Sequence, residues 1–374
     1  MRVCAPPLSC IPVYTVPVKP QAQRVTLQTI ADIVGVGKMT VSNAYSRPRH
    51  VSPQLRERIF AVADELGYAG PDASGRALAR RRTGLVGVLL TSSPDEAFEN
   101  LVALGFVSAI ARALTPRALS LALLSGRRRD DLVPATDIAM DGLVVYSCLS
   151  DDAASRALMK RRLPMVLVDQ PARPGVSSVN IEDEQGAARA ARHVVELGHR
   201  DVGIVVPWLE ASGGIARFHP AGLRDGKLRA RIRGWSRVLE AAGASFRVIA
   251  EPWELDHADA ARLGERLLGG PDRPTAVLCF SDLIARGVID AATARGLSVP
   301  RDLTVVGFDD DPLAAAGRPP LTTVRQDLAA KGHAAAEALF AAMDAQRAGT
   351  RLQPSHALLP TELVVRGSSA PPAT

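Results

Sequence analysis

The chain has 374 residues, 47% of them apolar and 22% charged, which suits two or three folded units with buried cores and excludes a disordered or fibrous chain. Its formal charge of +6 is unevenly placed: residues 1–82 hold 12 of the 45 Lys and Arg and 5 of the 39 Asp and Glu, a balance of +7 against −1 for the remainder. A basic end of this kind suits phosphate neutralisation, and no apolar run approaches the roughly 20 residues of a membrane-spanning helix.

Residues 1–24 are rich in proline and lack both an uninterrupted apolar stretch and a cleavage site, so they do not read as a signal peptide. A disordered extension, or a start assigned too far upstream, is expected, and a cytoplasmic chain with it. Cys4, Cys10, Cys148 and Cys279 show no metal spacing, and the last two end apolar runs where a buried thiol is ordinary.

From Thr26 the pattern becomes helical. Leu27, Ile30, Ala31 and Val34 recur on one face, with Thr26 placed to cap the helix. Gly35-Val36-Gly37 breaks it, and a second short helix follows in which Val41 and Ala44 face the first. Lys38, Met39, Ser42 and Asn43 then point outward. Lysine can donate to guanine, asparagine can pair bidentately with adenine, and an apolar side chain can meet a thymine methyl, so the set suits a DNA major groove. The spacing is that of a helix-turn-helix, although a plain helical hairpin with a glycine turn has the same pattern.

Ser46 to His50 reads as a loop. Arg47, Arg49 and His50, with the hydroxyls of Thr26, Thr40 and Ser42, suit backbone phosphates, the other reading being solvated loop residues. Ser52-Pro53 starts a third helix with Leu55, Ile59, Val62, Ala63 and Leu66 as its apolar stripe, ended by Gly67.

The stretch R-V-T-L-Q-T-I-A, then G-V-G-K-M-T-V-S-N, then R-H-V-S-P-Q-L-R-E-R-I-F-A-V-A-D-E-L-G-Y resembles the N-terminal domain of LacI/GalR-type transcriptional regulators, continuously from Arg24 to Leu90. The resemblance implies a division into residues 25–70 for DNA binding, 71–83 for a hinge helix and 84–374 for effector binding and dimerisation. It makes Y-A-G-P-D-A-S-G-R-A-L-A-R-R-R the hinge, ordered only when two subunits meet on DNA, with Leu78 as the minor-groove wedge. Two departures stand out: Gly70 resembles an insertion, and Gly75 replaces the usual alanine, which costs a short helix about 1 kcal/mol. Thr29 also replaces an acidic residue common in the first helix.

Beyond Gly84, strands at 85–90, 119–124, 142–147 and 165–169 alternate with helices near 101–114 and 152–162. A second set follows, with helices 183–197, 231–242, 257–268 and 282–295 and strands 202–206, 247–250, 276–280 and 303–308. The alternation predicts an α/β chain with two doubly wound lobes of parallel sheet behind the small all-α unit. The resemblance implies the fold of periplasmic sugar-binding proteins, with lobe 1 at about 84–179 and 312–346 and lobe 2 at about 180–311 and 347–369.

Ligands of such sheets bind beyond the carboxyl ends of the strands. Asp169 ends M-V-L-V-D, Asp282 follows V-L-C-F-S, and Asp309 and Asp310 follow T-V-V-G-F. By resemblance Arg231 and Asp282 are paired effector contacts, and Asp169 and Arg229 are further cleft positions; Asp309 joins the set. Carboxylates and guanidinium groups suit a polyhydroxylated ligand. Asp282 also fits a helix N-cap, and Arg229 a solvated charge. Asp309–Asp311 fits capping or water better than a metal. The long basic segment from Pro207 to Arg229 is expected to form a flap over the cleft.

Phosphate-loop, nucleophile-elbow, zinc-protease and dinucleotide signatures are missing, so no catalytic residue, metal or cofactor is expected. His199, in E-L-G-H-R-D, reads as structural. The expectation is a dimeric regulator, a repressor, that binds a near-palindromic operator under control of a small effector. A transport solute-binding protein and an enzyme on a doubly wound scaffold are the rivals; the first predicts export, the second a nucleophile–base pair or cofactor loop.

Overall fold

A computed structural model describes residues 25–70, 82–90, 98–125, 136–147, 153–208, 225–252, 257–270 and 272–373. Leu78, with most of the expected hinge, and most of the expected flap lie outside the described residues, as do Cys4, Cys10 and Cys148. The chain divides into two compact units, Met1–Thr83 and Gly84–Thr374.

Among the described residues the first unit holds three α-helices: α1 (Leu27–Val34), α2 (Lys38–Ser46) and α3 (Pro53–Glu65). Thr26 caps α1, its hydroxyl accepting from the Thr29 amide at 3.3 Å while the Thr29 hydroxyl accepts from the Thr26 amide at 3.2 Å. Thr29 thus does the work of the acidic residue it replaces. Gly35 follows with φ +75, the left-handed turn that lets α2 double back. Ile30, Ala31, Val34, Val41, Ala44, Val51, Ile59 and Ala63 close the core, with Tyr45 packed on Phe60 at 5.0 Å between ring centroids. Ser52 caps α3 and Pro53 opens it.

The second unit holds two six-stranded sheets. The first contains β1 (Leu85–Leu90), β2 (Ser120–Ser125), β3 (Gly142–Tyr146), β4 (Met165–Val168), β5 (Ser177–Ile181) and β11 (His356–Leu359), all parallel, in the order β2-β1-β3-β4-β5-β11. The second contains β6 (Asp201–Trp208), β7 (Ser245–Pro252), β8 (Ala276–Cys279), β9 (Thr304–Asp309), β10 (Thr322–Gln326) and β12 (Thr361–Val364), ordered β7-β6-β8-β9-β10-β12, with only β12 antiparallel. The same strand order therefore repeats in each lobe. Both sheets are covered on two faces, as runs such as I-V-V in β6 demand: Ile204 and Val206 face one cluster and Val205 the other.

Helices α4 (Leu101–Leu114), α5 (Ala153–Lys160) and α11 (Leu328–Ala348) cover the first sheet. The second is covered by α6 (Asp183–Glu196), α7 (Gly226–Ala241), α8 (His257–Leu268) and α9 (Asp282–Ala294), with the short α10 (Pro312–Ala316) against it.

Two of the three crossings between lobes stand elsewhere than expected. The chain leaves lobe 1 after Ile181, close to the expected place near Val179. It returns after Gln326 and not near Pro312, because α10 is only five residues, tucks Ala314 into the second lobe's core and sends β10 back beside β9. Asp327 then caps α11, which packs on the first sheet. The third crossing falls between Leu359 and Thr361, later than the expected 346–356, since β11 still pairs with β5. Strands β5 and β10 are rich in Ser, Thr and Asn, so their periodicity carries no apolar signal; both are buried nonetheless.

Candidate DNA-reading surface and effector cluster

On the first unit, Val41 and Ala44 bury one face of α2. Lys38 is exposed, Met39 is 72% exposed, and Thr40, Ser42 and Asn43 are half-buried. Met39 is thus an apolar side chain left largely in solvent on the outward face of α2. Arg47, Arg49 and His50 are exposed at a 3₁₀ turn, Pro48–His50, directly after the helix. Thr26 is exposed at the amino end of α1. Lys38, Met39 and Asn43 thus share the outward face, with the basic turn at its end.

On the second unit the charged residues converge where the carboxyl ends of the two sheets meet. Arg231, on α7, is 3% exposed and donates to Asp183 Oδ1 at 2.8 Å and to the Phe280 carbonyl. It also pairs with Asp309 at 3.6 Å. Its guanidinium carbon lies 3.5 Å from the Phe308 ring centroid and 4.5 Å from that of Phe280, a sandwich that uses the flat cation well. Asp309 accepts from Gln326 Nε2 at 2.6 Å. Lys331 Nζ donates to Asp169 at 2.8 and 3.0 Å and to Gln326 Oε1. Across the cleft, Lys227 Nζ on α7 donates to Ser147 Oγ at the end of β3.

The backbone is bent to reach this arrangement. Ser147, Asp169, Asp309 and Asp310, each next to a strand's carboxyl end, have φ of 53°, 55°, 118° and 55°. Such conformations cost of order 1 kcal/mol or more for a side chain with a Cβ and gather at binding sites.

The charges do not balance evenly. Burial pushes the Arg231 guanidinium down, but Asp183 and Asp309 outweigh it and favour the charged form. Burial, with the neighbouring Asp169 carboxylate, pushes Asp183 up more than Arg231 pulls it down. Burial would also raise Asp169, yet Lys331 and then Lys227 hold its carboxyl below the usual range. Asp309 is left over: burial raises it to about 6 despite Arg231 and Gln326. Tyr146, stacked on Phe106 at 4.4 Å, is pushed well above the usual phenol by burial and by Asp169.

Of the residues singled out in the sequence, Asp169, Arg231 and Asp309 come together. Arg229 is half-buried two positions earlier on the same helix, which places it about 200° around the axis. The helix starts at Gly226, capped by Asp225, rather than at 231. Asp282 is 1% exposed, with Oδ2 accepting from the Asp311 amide at 2.8 Å and Oδ1 from the Thr323 hydroxyl. Burial first, then Asp309, pushes its carboxyl well up. Ser281, not Asp282, caps α9. Asp282 therefore anchors the loop that carries Asp309. The three adjacent aspartates part ways: Asp309 enters the cluster, Asp310 meets Arg325 and Arg366 at 2.7 Å each, and Asp311 caps α10.

Asp183, Lys331, Gln326, Lys227 and Ser147 are additional members of the cluster. Ser147 and Gln326 end strands, so the carboxyl-end rule reaches them; Lys331 is visible only once the return crossing is placed. His199 is 1% exposed, bonded to Thr275, Thr304 and the Ala370 carbonyl, and holds the C-terminal segment.

The geometry agrees with what the chain is similar to. Residues 26–70 match the bacterial regulatory proteins of the lacI family, and residues 191–369 the periplasmic binding protein-like domain. An HTH-type transcriptional regulator of Mycolicibacterium smegmatis is 36% identical over 366 residues, 94% of this chain and 98% of that protein. The transcriptional regulator CelR in complex with cellobiose is 27% identical with a TM-score of 0.65, covering 92% of this chain and all of that one. The lac repressor dimer bound to operator and the anti-inducer ONPF is 25% identical with a TM-score of 0.72, over 93% and 100%. A helix-turn-helix with an outward polar face, a two-lobed α/β unit and this near full-length likeness lead to one conclusion: the chain belongs to the LacI family of transcriptional regulators.

Proposed function

We propose that the protein is a homodimeric repressor that grips a near-palindromic operator and is governed by a small, polyhydroxylated effector held between the two lobes. The observation that carries this reading is the cluster Asp169–Lys331–Gln326–Asp309–Arg231–Asp183, buried where two sets of strand ends meet, in a chain whose other unit presents a basic and apolar helix face. Lys38, Met39 and Asn43 read bases in the major groove. Thr26, Thr40, Ser42, Arg47, Arg49 and His50 contact phosphates, and Leu78, in a hinge over 71–83, wedges into the minor groove. Asp169, Arg231 and Asp309 bind the effector, with Asp282 acting through the loop after β9. Effector binding alters the set of the two lobes and the dimer, coupling the two sites through the hinge.

The test is a selection of duplexes from a random pool, followed by measurement of the winner's affinity with sugars, polyols, nucleosides and purines added in turn. A preferred palindrome whose affinity one compound changes, and whose response is lost in Arg231→Ala, is the expected result. No preference for any duplex, with or without added compounds, refutes it.

A further inference from the structure

Lys331 is 0% exposed and spends its ammonium inside the cluster, on both oxygens of Asp169 and on Gln326 Oε1. An ammonium has donors only, so Gln326 must turn its oxygen to Lys331 and its nitrogen to Asp309. One lysine thereby cancels the carboxylate that ends β4 in lobe 1 and fixes the amide that ends β10 in lobe 2. The other charged or titratable groups facing Asp169 are Lys227, Arg231, Tyr146 and Asp183.

Packing alone does not require an ion pair here, because apolar side chains of similar volume in place of both partners are often at least as stable. We propose that Lys331 is the specificity-determining residue of the cleft: it occupies the place a ligand ammonium would take beside Asp169, so the cleft accepts uncharged polyhydroxylated compounds and rejects amino sugars. The proposal rests on the reading of this cluster as the effector site. With its donors consumed, Lys331 acts through Asp169 and Gln326 and is a positioning residue. Removing it takes away the ammonium paired with Asp169 and leaves Lys227 and Arg231 as the remaining cations facing that buried carboxylate; an incoming ammonium replaces the lost partner.

The full chain, as wild type, Lys331→Met, Lys331→Arg and the Asp169→Asn/Lys331→Met double variant, is titrated calorimetrically with glucose and cellobiose and with their ammonium-bearing counterparts, glucosamine and chitosan disaccharide. Lys331→Met is expected to move the ratio of ammonium to neutral affinity by about tenfold or more toward the ammonium member. Arginine restores the wild-type ratio and the double variant loses the shift. Failure of Lys331→Met to bind either ammonium probe, an unchanged ratio, or a shift that survives in the double variant overturns the proposal. Melting temperatures supply a ligand-free arm: the deficit of Lys331→Met should shrink as pH falls through the carboxylate range and Asp169 takes up a proton, whereas a deficit equal at every pH makes Lys331 a space-filler and also overturns it. If Lys331→Met does not fold, Lys331→Gln carries the same arms. Arg231→Met separates the two levels of inference: neutral-probe binding indifferent to Arg231 removes the cleft reading itself, while binding lost with Arg231 but indifferent to Lys331 removes only this proposal.

Discussion

Replacing Asp309 by asparagine should change the pH dependence of stability in a calculable way. The carboxyl is raised from 3.8 to about 6, by burial first and against the pull of Arg231 and Gln326. The folded protein therefore binds this proton more tightly than the unfolded chain does. Stability from this group is greatest at acidic pH, declines as pH rises from about 4 to about 6, and is flat above. The span is about 3 kcal/mol, at roughly 1.4 kcal/mol for each tenfold change in proton affinity. Asparagine keeps the shape, tolerates the positive φ and does not titrate. Asp309→Asn should thus gain about 3 kcal/mol relative to wild type between about pH 4 and pH 7, whatever its offset at the acid end. Asp282, also pushed up by burial and by Asp309, shares part of the change. Urea unfolding of both proteins across that range, followed by tryptophan fluorescence, measures it. Stability profiles that stay parallel would show that Asp309 is not held in the fold at a thermodynamic loss. A loss of this size, kept at a strand end beside Arg231, is what a binding group costs when no ligand is there to stabilise its charge.

The same carboxylate makes effector affinity pH-dependent: a hydroxyl donating to Asp309 favours its ionised form, so affinity should fall as pH drops through about 6, and a flat calorimetric profile would count against Asp309 as a contact. Asn43→Ala should weaken the selected operator by about 1–3 kcal/mol while leaving random duplex nearly unchanged in anisotropy titrations; equal losses on both would remove its base-reading role. Leu78→Ala should reduce operator bending and affinity, read by circular-permutation gel shifts, without altering effector binding. Gly234→Ala should destabilise the second unit and weaken effector binding together, because a Cβ there overlaps the Glu184 carbonyl oxygen and lies 2.9 Å from Ala187 Cβ. That close approach of α7 to α6 sets Arg231 beside Asp183, so a variant of normal stability and affinity would refute it.

Local signals in the sequence were strong enough to determine the three described helices of the first unit. Thr26 and Ser52 cap their helices, glycine turns where a left-handed residue is needed, and the outward face of α2 follows from the burial of Val41 and Ala44. Continuous apolar runs likewise located β1 to β4 and β6 to β9, and the carboxyl-end rule pointed to Asp169 and Asp309. Tertiary structure decided the rest. Polar strands β5 and β10 are buried by their neighbours rather than by their own composition, so the crossings moved with them. Lys331 reads as a surface lysine on an alanine-rich helix until the return after Gln326 puts it against Asp169, 162 positions away. Asp282 offers a ligand contact or a helix cap in the sequence, and only the fold shows its oxygens accepting from the Thr323 hydroxyl and the Asp311 amide. Caps and turns act over three or four residues and are written locally; ion pairs across a lobe depend on where the chain crosses, which no local pattern encodes.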